Sequence, residues 1–220
     1  MGPRLTGSSP SDDELARRWA AAHPGMSASA PLVRGWLRLM WRLAAPLAAR
    51  GASPSAITAA GGGLGVLALA AAWPGGRWPA LAALALVLAS ALADGLDGAV
   101  AIRAGRVSLR GTRLDRAADR VVDACWALIL WRLGAPWWAA AMLIAATLAQ
   151  ESARRRLDVA GLITVCERPS RLICTALAAL SAVIAPAAAW PASVCAGVWG
   201  GLAAVALIQL ARRAGRPAAR

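Results

Sequence analysis

Beyond about residue 31 the chain is a succession of long apolar runs separated by clusters of arginine. The runs are Ser55 to Trp73, Trp78 to Ala93, Leu114 to Leu133, Pro136 to Ala149, Leu172 to Trp190 and Ala192 to Leu210. The second continues to Ile102 with only Asp94 and Asp97 charged. Most approach the ~20 residues that a helix needs to cross a ~30 Å hydrocarbon core, and the fourth must extend past Gln150 to do so. The third is the weakest, because Asp115, Asp119 and Asp123 load its first half. The pattern predicts an all-α integral membrane fold with six transmembrane helices. Pro186 and the Gly200-Gly201 pair are expected to kink the last two.

A different pattern precedes the first run. From about Leu32 to Ala49, Arg34, Arg38 and Arg42 recur every four residues and so share one helical face. Trp36, Leu37, Met40, Trp41 and Leu43 cover much of the rest. A basic stripe opposite Trp and Leu suits an amphipathic helix lying in the membrane interface. The competing reading is an amphipathic helix packed on a partner.

The arginines also give an orientation. Arg34, Arg38, Arg42 and Arg50 precede span one. Arg103, Arg106, Arg110 and Arg113 join spans two and three, Arg154, Arg155, Arg156, Arg168 and Arg171 join spans four and five, and Arg212, Arg213, Arg216 and Arg220 follow span six. The opposite connections hold only Arg77 and Arg132. This alternation predicts a multi-pass cell-membrane protein with both termini in the cytoplasm. It also puts Asp94, Asp97, Asp115 and Asp119 at the cytoplasmic end.

Composition sharpens this picture. Of 220 residues 59% are hydrophobic, and mean hydropathy is +0.55, too apolar for an ordinary soluble domain. The formal charge is +13 and all 24 basic residues are arginine. No basic stripe alternates with stacking aromatics, so the charge points to topology and anionic lipid head groups, not to nucleic acid. The four cysteines form no CxxC pair and read as small buried hydrophobes. The lone His23 excludes a multi-histidine metal site. No cleavable signal peptide is evident, because Ser8 to Glu14 is polar and the first apolar run comes late. Three segments are expected: a flexible tail over 1–30 with a short helical stretch near Asp12 to Ala22, a membrane domain over 31–213, and a basic tail over 214–220.

The chemistry concentrates in DGLDGAVAIRAGRVSLRGTRLDRAADR, which begins at Asp94. Asp94 and Asp97 are three apart, and Asp115 and Asp119 are four apart, so each pair shares a helical face. A hairpin of spans two and three would bring the pairs together. Four carboxylates facing one another in a bilayer need a counter-charge. Hard divalent cations, Mg²⁺ or Mn²⁺, fit oxygen ligands of this kind. Gly95, Gly98 and Ala101, with Gly111 across the hairpin, leave a face without bulk on which a nucleotide diphosphate can lie close to the backbone. Ion pairing of the acids with Arg116 and Arg120 is the simpler alternative.

The spacing Asp94-x2-Asp97-Gly98-x2-Ala101, then Gly111-x3-Asp115-x3-Asp119, resembles the signature of the CDP-alcohol phosphatidyltransferases, and the likeness extends over about Leu32 to Arg213. The resemblance implies that Asp94, Asp97, Asp115 and Asp119 are metal ligands and that Asp119 is also the general base for the acceptor hydroxyl. It implies that Gly98, Ala101 and Gly111 border the cytidine nucleotide. A phosphatidyl group would pass from CDP-diacylglycerol to an alcohol, releasing CMP, in phospholipid biosynthesis. Dimers are common in the family. One position departs: the family has Arg after Ala101, where this chain has Ile102. Arg103 lies ~100° further round the helix, so Arg106, one turn on, is the expected substitute on the nucleotide.

Glu167-Arg168-Pro169-Ser170-Arg171 looks like the ERxxR segment of family members that use phosphorylated polyols. With Arg154 it suggests that Arg154, Arg168 and Arg171 hold an acceptor phosphate, as in inositol phosphate or glycerol phosphate. The alternative is that these arginines serve topology alone. Ser53-Pro54-Ser55-Ala56-Ile57-Thr58 resembles the family's Pro-Asn-x-x-Thr opening of span one, with Ser55 in place of Asn. Two other classes compete with a transferase: a non-catalytic lipid- or nucleotide-binding relative, and a divalent-cation transporter.

Overall fold

The computed structural model describes residues 31–156 and 163–214. The tail over 1–30, with its expected helical stretch near Asp12, and most of the basic C-terminal tail lie outside the described residues. Within them the chain forms seven helices: α1 (Pro31–Ala49), α2 (Pro54–Ala72), α3 (Arg77–Arg103), α4 (Leu109–Arg132), α5 (Trp137–Arg156), α6 (Arg168–Ile184) and α7 (Trp190–Ala214). The apolar runs thus become helices at nearly the positions expected. Polar residues extend several of them: α4 begins at a Ser108 cap whose Oγ accepts from the Gly111 amide at 3.1 Å, and α5 runs through Arg154–Arg156.

One expectation is corrected. Pro186 does not kink a helix. It follows the end of α6, where Ala188 N–H bonds the Ala185 carbonyl at 2.9 Å in a turn that suits proline at its second position. The Gly200-Gly201 pair sits inside a helix that continues unbroken to Ala214. Among the described residues, α2, α3 and α7 are long and apolar enough to cross a membrane. α4 carries charge through its first half, α5 ends in three arginines and α6 has 17 residues.

α4 is the centre of the bundle and touches α2, α5, α6 and α7. Its Val122, Trp126, Ile129 and Leu130 are buried among alanines of the surrounding helices, including Ala68, Ala178 and Ala203. Small residues let these backbones approach, since dispersion and close packing carry helix association where lipid tails are as apolar as leucine. A Cβ on Gly61 would stand 3.1 Å from that of Ala93, and one on Gly65 would stand 2.8 Å from Val122 Cγ2. Ser90 donates to the Gly61 carbonyl at 2.7 Å, which ties α2 to α3 at the same level.

α1 is amphipathic as expected, with Arg34, Arg38 and Arg42 exposed. Its other face is a packing surface: Leu37, Met40, Trp41 and Ala44 are buried at i, i+3, i+4, i+7 spacing. A Cβ on Gly95 would meet Met40 Sδ at 2.8 Å and Trp36 at 2.9 Å. Gly95 is therefore the seat of α1 on α3 and is not a bare surface for a ligand.

The two ends of the bundle differ. Trp73, Trp78, Trp137, Trp138 and Trp190 are all exposed and all lie at the end opposite the arginine clusters. There Arg77 donates to the Val183 carbonyl at 2.9 Å, and Arg132 bonds the Trp73 carbonyl with its guanidinium 5.3 Å from the Trp73 ring centre. Gly65→Val is expected to overpack the α2–α4 contact at a cost of about 1–3 kcal/mol. Thermal unfolding in detergent should show it as a lowered melting temperature, with Gly63→Val, where an added Cβ meets nothing within 4 Å, as the unaffected control.

Candidate active site

α3 and α4 pack on α2 more than on one another, and their connected ends bring three of the four aspartates together. Asp94, Asp115 and Asp119 each offer a carboxylate oxygen, and these oxygens lie within 4.8 Å of one another. Such a set of hard oxygen donors fits a divalent cation that prefers carboxylate. Asp97 stands apart from it. Three residues turn a helix by ~300°, so Asp97 is rotated from Asp94 toward α2. Its side chain is 7% exposed, and Oδ2 lies in hydrogen-bond contact with Thr58 Oγ1. Thr58 also lies 3.1 Å from the Pro54 carbonyl, so the weakly informative Pro54-to-Thr58 opening of α2 contributes a contact to the acidic cluster's neighbour.

α6 closes the cluster with a cation. Arg168 Nη1 donates to Asp94 Oδ1 at 2.6 Å and is paired also with Asp119. Its guanidinium carbon is 5.5 Å from the centre of the Trp126 ring. Arg168, expected to face an acceptor phosphate, is thus joined to the carboxylates themselves.

Beside them is a cavity of about 140 Å³ whose wall includes Asp119, Arg116, Arg120, Arg154, Arg168 and Arg171. All three arginines proposed for an acceptor phosphate therefore converge, and Arg116 and Arg120 join them. From sequence the latter pair has only the alternative role of pairing with the acids, although their i, i+4 spacing around Asp119 signals one face of α4. Thr147, Gln150 and Glu151 of α5 complete the polar side. Arg120 pairs with Glu151 at 3.4 Å, not with an aspartate of the cluster.

Two networks hold this wall. In the deeper one, Arg171 Nη1 donates to Asp123 Oδ2 at 2.5 Å, while Nη2 donates to Gln150 Oε1 and to the Cys166 carbonyl, both at 3.1 Å. This pins α6 to α4 and α5. Asp123 is accordingly an anchor for an arginine and lies outside the carboxylate cluster. In the shallower one, Glu167 at the N-terminus of α6 pairs with Arg154 and accepts from the Thr164 amide at 2.7 Å and hydroxyl at 2.8 Å. Burial alone would raise the Glu167 carboxyl, but the Arg154 and Thr164 donors outweigh it and hold it below the ordinary glutamate range. Several buried atoms of the wall have no partner among the described residues: Asp123 Oδ1 and the Nε of Arg120, Arg154, Arg168 and Arg171.

The nucleotide side is less complete. Gly98 is exposed and a Cβ there would meet nothing within 4 Å, so this face is open. Gly111 sits against the Ser108 cap, where an added Cβ would stand 3.2 Å from the Ser108 Oγ. Ala101 and Ile102 are half-buried. Neither arginine near the family's position turns to the acids: Arg103 stacks 4.9 Å over the Trp41 ring, and Arg106 Nη1 donates to the Gly51 carbonyl at 3.3 Å. Arg106 is therefore placed on the α1–α2 connection, because the turn after α3 swings it past the helix end.

Two measurements check this wall. Arg171→Met leaves Asp123 buried without its partner and should cost about 3–5 kcal/mol. The double variant with Asp123→Asn should recover part of that loss in thermal unfolding. Because the folded-state pKa of Glu167 is depressed, its contribution is fully present above the unfolded value of 4.5 and is lost as pH falls through the folded one. Wild-type melting temperature should therefore drop below that value, and the drop should be smaller in Glu167→Gln.

The model of the family described as CDP-alcohol phosphatidyltransferase matches residues 52–211. The phosphatidylinositol phosphate synthase of Mycobacterium tuberculosis, solved in complex with manganese and citrate, shares the fold with a TM-score of 0.64 at 22% identity, over 80% of this chain and 88% of that one. No curated protein matches the chain.

Proposed function

Because the chain belongs to the CDP-alcohol phosphatidyltransferase family, and so is a transferase of phospholipid biosynthesis, we propose that it moves a phosphatidyl group from CDP-diacylglycerol to a small phosphorylated polyol and releases CMP. Inositol phosphate and glycerol phosphate are the acceptors proposed. The observation that carries this reading is the position of Asp119. It belongs both to the three-carboxylate cluster and to the arginine-lined cavity, so a donor diphosphate on one side and an acceptor phosphate on the other would meet at its carboxylate.

Asp94, Asp115 and Asp119 would hold Mg²⁺ or Mn²⁺, with Asp97 as a further ligand by a change of side-chain direction. When bound, the ion supplies charge neutralisation for the diphosphate and for the leaving CMP. The protein's own groups do the rest. Gly98 leaves the backbone of α3 open to the nucleotide, with Ala101 and Gly111 at its margin. Arg116, Arg154, Arg168 and Arg171, which line the cavity, direct an acceptor phosphate through charge-assisted hydrogen bonds. Asp119 accepts the proton of the acceptor hydroxyl as its oxygen attacks the phosphorus bearing the lipid.

The reading places six spans in the membrane, α2 to α7, with α1 at the interface. α4, α5 and α6 would cross with their charged segments at the cytoplasmic end, which the arginine clusters mark. The exposed tryptophans at the other end suit the opposite interface, where indoles rest at head-group level. A divalent-cation transporter is disfavoured because the acids stop at one end and buried Trp126, Ile129 and Leu130 follow them along α4.

Purified enzyme should release CMP from CDP-diacylglycerol with Mn²⁺ and a phosphorylated polyol, and far less with the free polyol. Asp119→Asn should lower kcat by about 10²–10⁴-fold, the contribution usual for a positioned base. Equal turnover of free and phosphorylated acceptors would remove the phosphate-site assignment.

A further inference from the structure

Arg168 is placed differently from the other arginines of the cavity. Arg171 is tied to Asp123, Gln150 and a main-chain carbonyl. Arg154 is tied to Glu167 and Thr164, and Arg120 to Glu151. These three pair with groups outside the carboxylate cluster. Arg168 alone among them pairs with two members of that cluster, Asp94 and Asp119. The side chain starts at the first residue of α6 and also lines the cavity. It therefore lies between the carboxylate cluster and the proposed acceptor site.

We propose that Arg168 is an exchangeable counter-ion: its guanidinium neutralises Asp94 and Asp119 while no divalent cation is bound, and moves toward the arginine-lined cavity when one is. This inference rests on the reading of the cluster as a metal site and adds a coupling to it. A guanidinium and a divalent cation that draw on the same two carboxylates compete, because each neutralises the charge that attracts the other and they repel at contact distance. Apparent cation affinity is then reduced by the fraction of time the carboxylates are free of Arg168. The displaced side chain has a destination. It already lines the cavity, and an anion there would receive it. By linkage, cation binding and anion binding then strengthen each other by the same factor. The enzyme would bind an acceptor phosphate tightly only once the metal is in place.

The test is a titration of purified full-length protein in detergent with Mn²⁺, read as the loss of free-ion signal by electron paramagnetic resonance, with and without sulfate as a tetrahedral dianion. Arg168→Gln should bind Mn²⁺ on the order of tenfold tighter than wild type, the effect of freeing carboxylates that are about nine-tenths occupied. Sulfate should tighten Mn²⁺ binding in wild type and not in Arg168→Gln. Arg168→Lys keeps a charge that is more strongly hydrated and holds carboxylate less well, so its affinity should lie between the two. It decides the matter if Arg168→Gln does not fold. Wild type that binds Mn²⁺, with variants that bind no tighter or that respond equally to sulfate, overturns the counter-ion role and leaves the metal site standing. No Mn²⁺ binding by wild type or variants overturns both.

Discussion

The arrangement depends on one electrostatic constraint: three carboxylates gathered at one end of an apolar bundle must be neutralised. In water Asp94, Asp115 and Asp119 would separate. Here α3 and α4 hold their oxygens within 4.8 Å, and α6 delivers Arg168 to them at 2.6 Å from Asp94. Charge held this way is costly unless each member has a partner. That requirement accounts for the rest of the wall. Asp123 has Arg171, Glu167 has Arg154, and Glu151 has Arg120. The pairs together fix the start of α6 against α4 and α5, and with it the shape of the cavity.

Close approach of the backbones makes the gathering possible. Gly61 and Gly65 let α2 press against both α3 and α4, so the helix between them holds the two that carry the carboxylates. α1 then caps α3 at Gly95 through Met40 and Trp36, leaving the Gly98 side of the helix open. α1 thus presents its arginines on one side and packs with the other on the α3 segment bearing Asp94. Among the described residues the opposite end has no comparable cluster. Arg77 and Arg132 there bond loop carbonyls and the tryptophans are exposed.

Much of this was legible from residue spacing, because apolar runs of helix length and i, i+3 or i+4 acidic pairs have direct geometric meaning. The positions of the helices and the pairing of Asp115 with Asp119 follow from it, while the grouping of Arg154, Arg168 and Arg171 comes from the likeness to the family's ERxxR segment. What escaped depends on neighbours that spacing does not name. Asp97 shares a face with Asp94 only to within ~60°, and the presence of Thr58 on α2 decides which way it turns. Gly95 and Gly98 look alike in sequence, yet one is filled by α1 and the other is open. Arg106 is one turn from Ile102 on an ideal helix, but α3 ends at Arg103 and the chain has already turned away. Pro186 marks the end of α6 and not a bend within it, since the helix stops at Ile184 and the proline falls in the turn that follows.

The central claim is that Asp94, Asp115 and Asp119 form one cation site where the connected ends of α3 and α4 meet. It is tested most directly by anomalous scattering from crystals of the protein grown with manganese. The account predicts an anomalous peak in contact with oxygens of all three carboxylates, lost when Asp94 and Asp115 are both changed to asparagine. A peak placed elsewhere, or none at these carboxylates at saturating manganese, would contradict it.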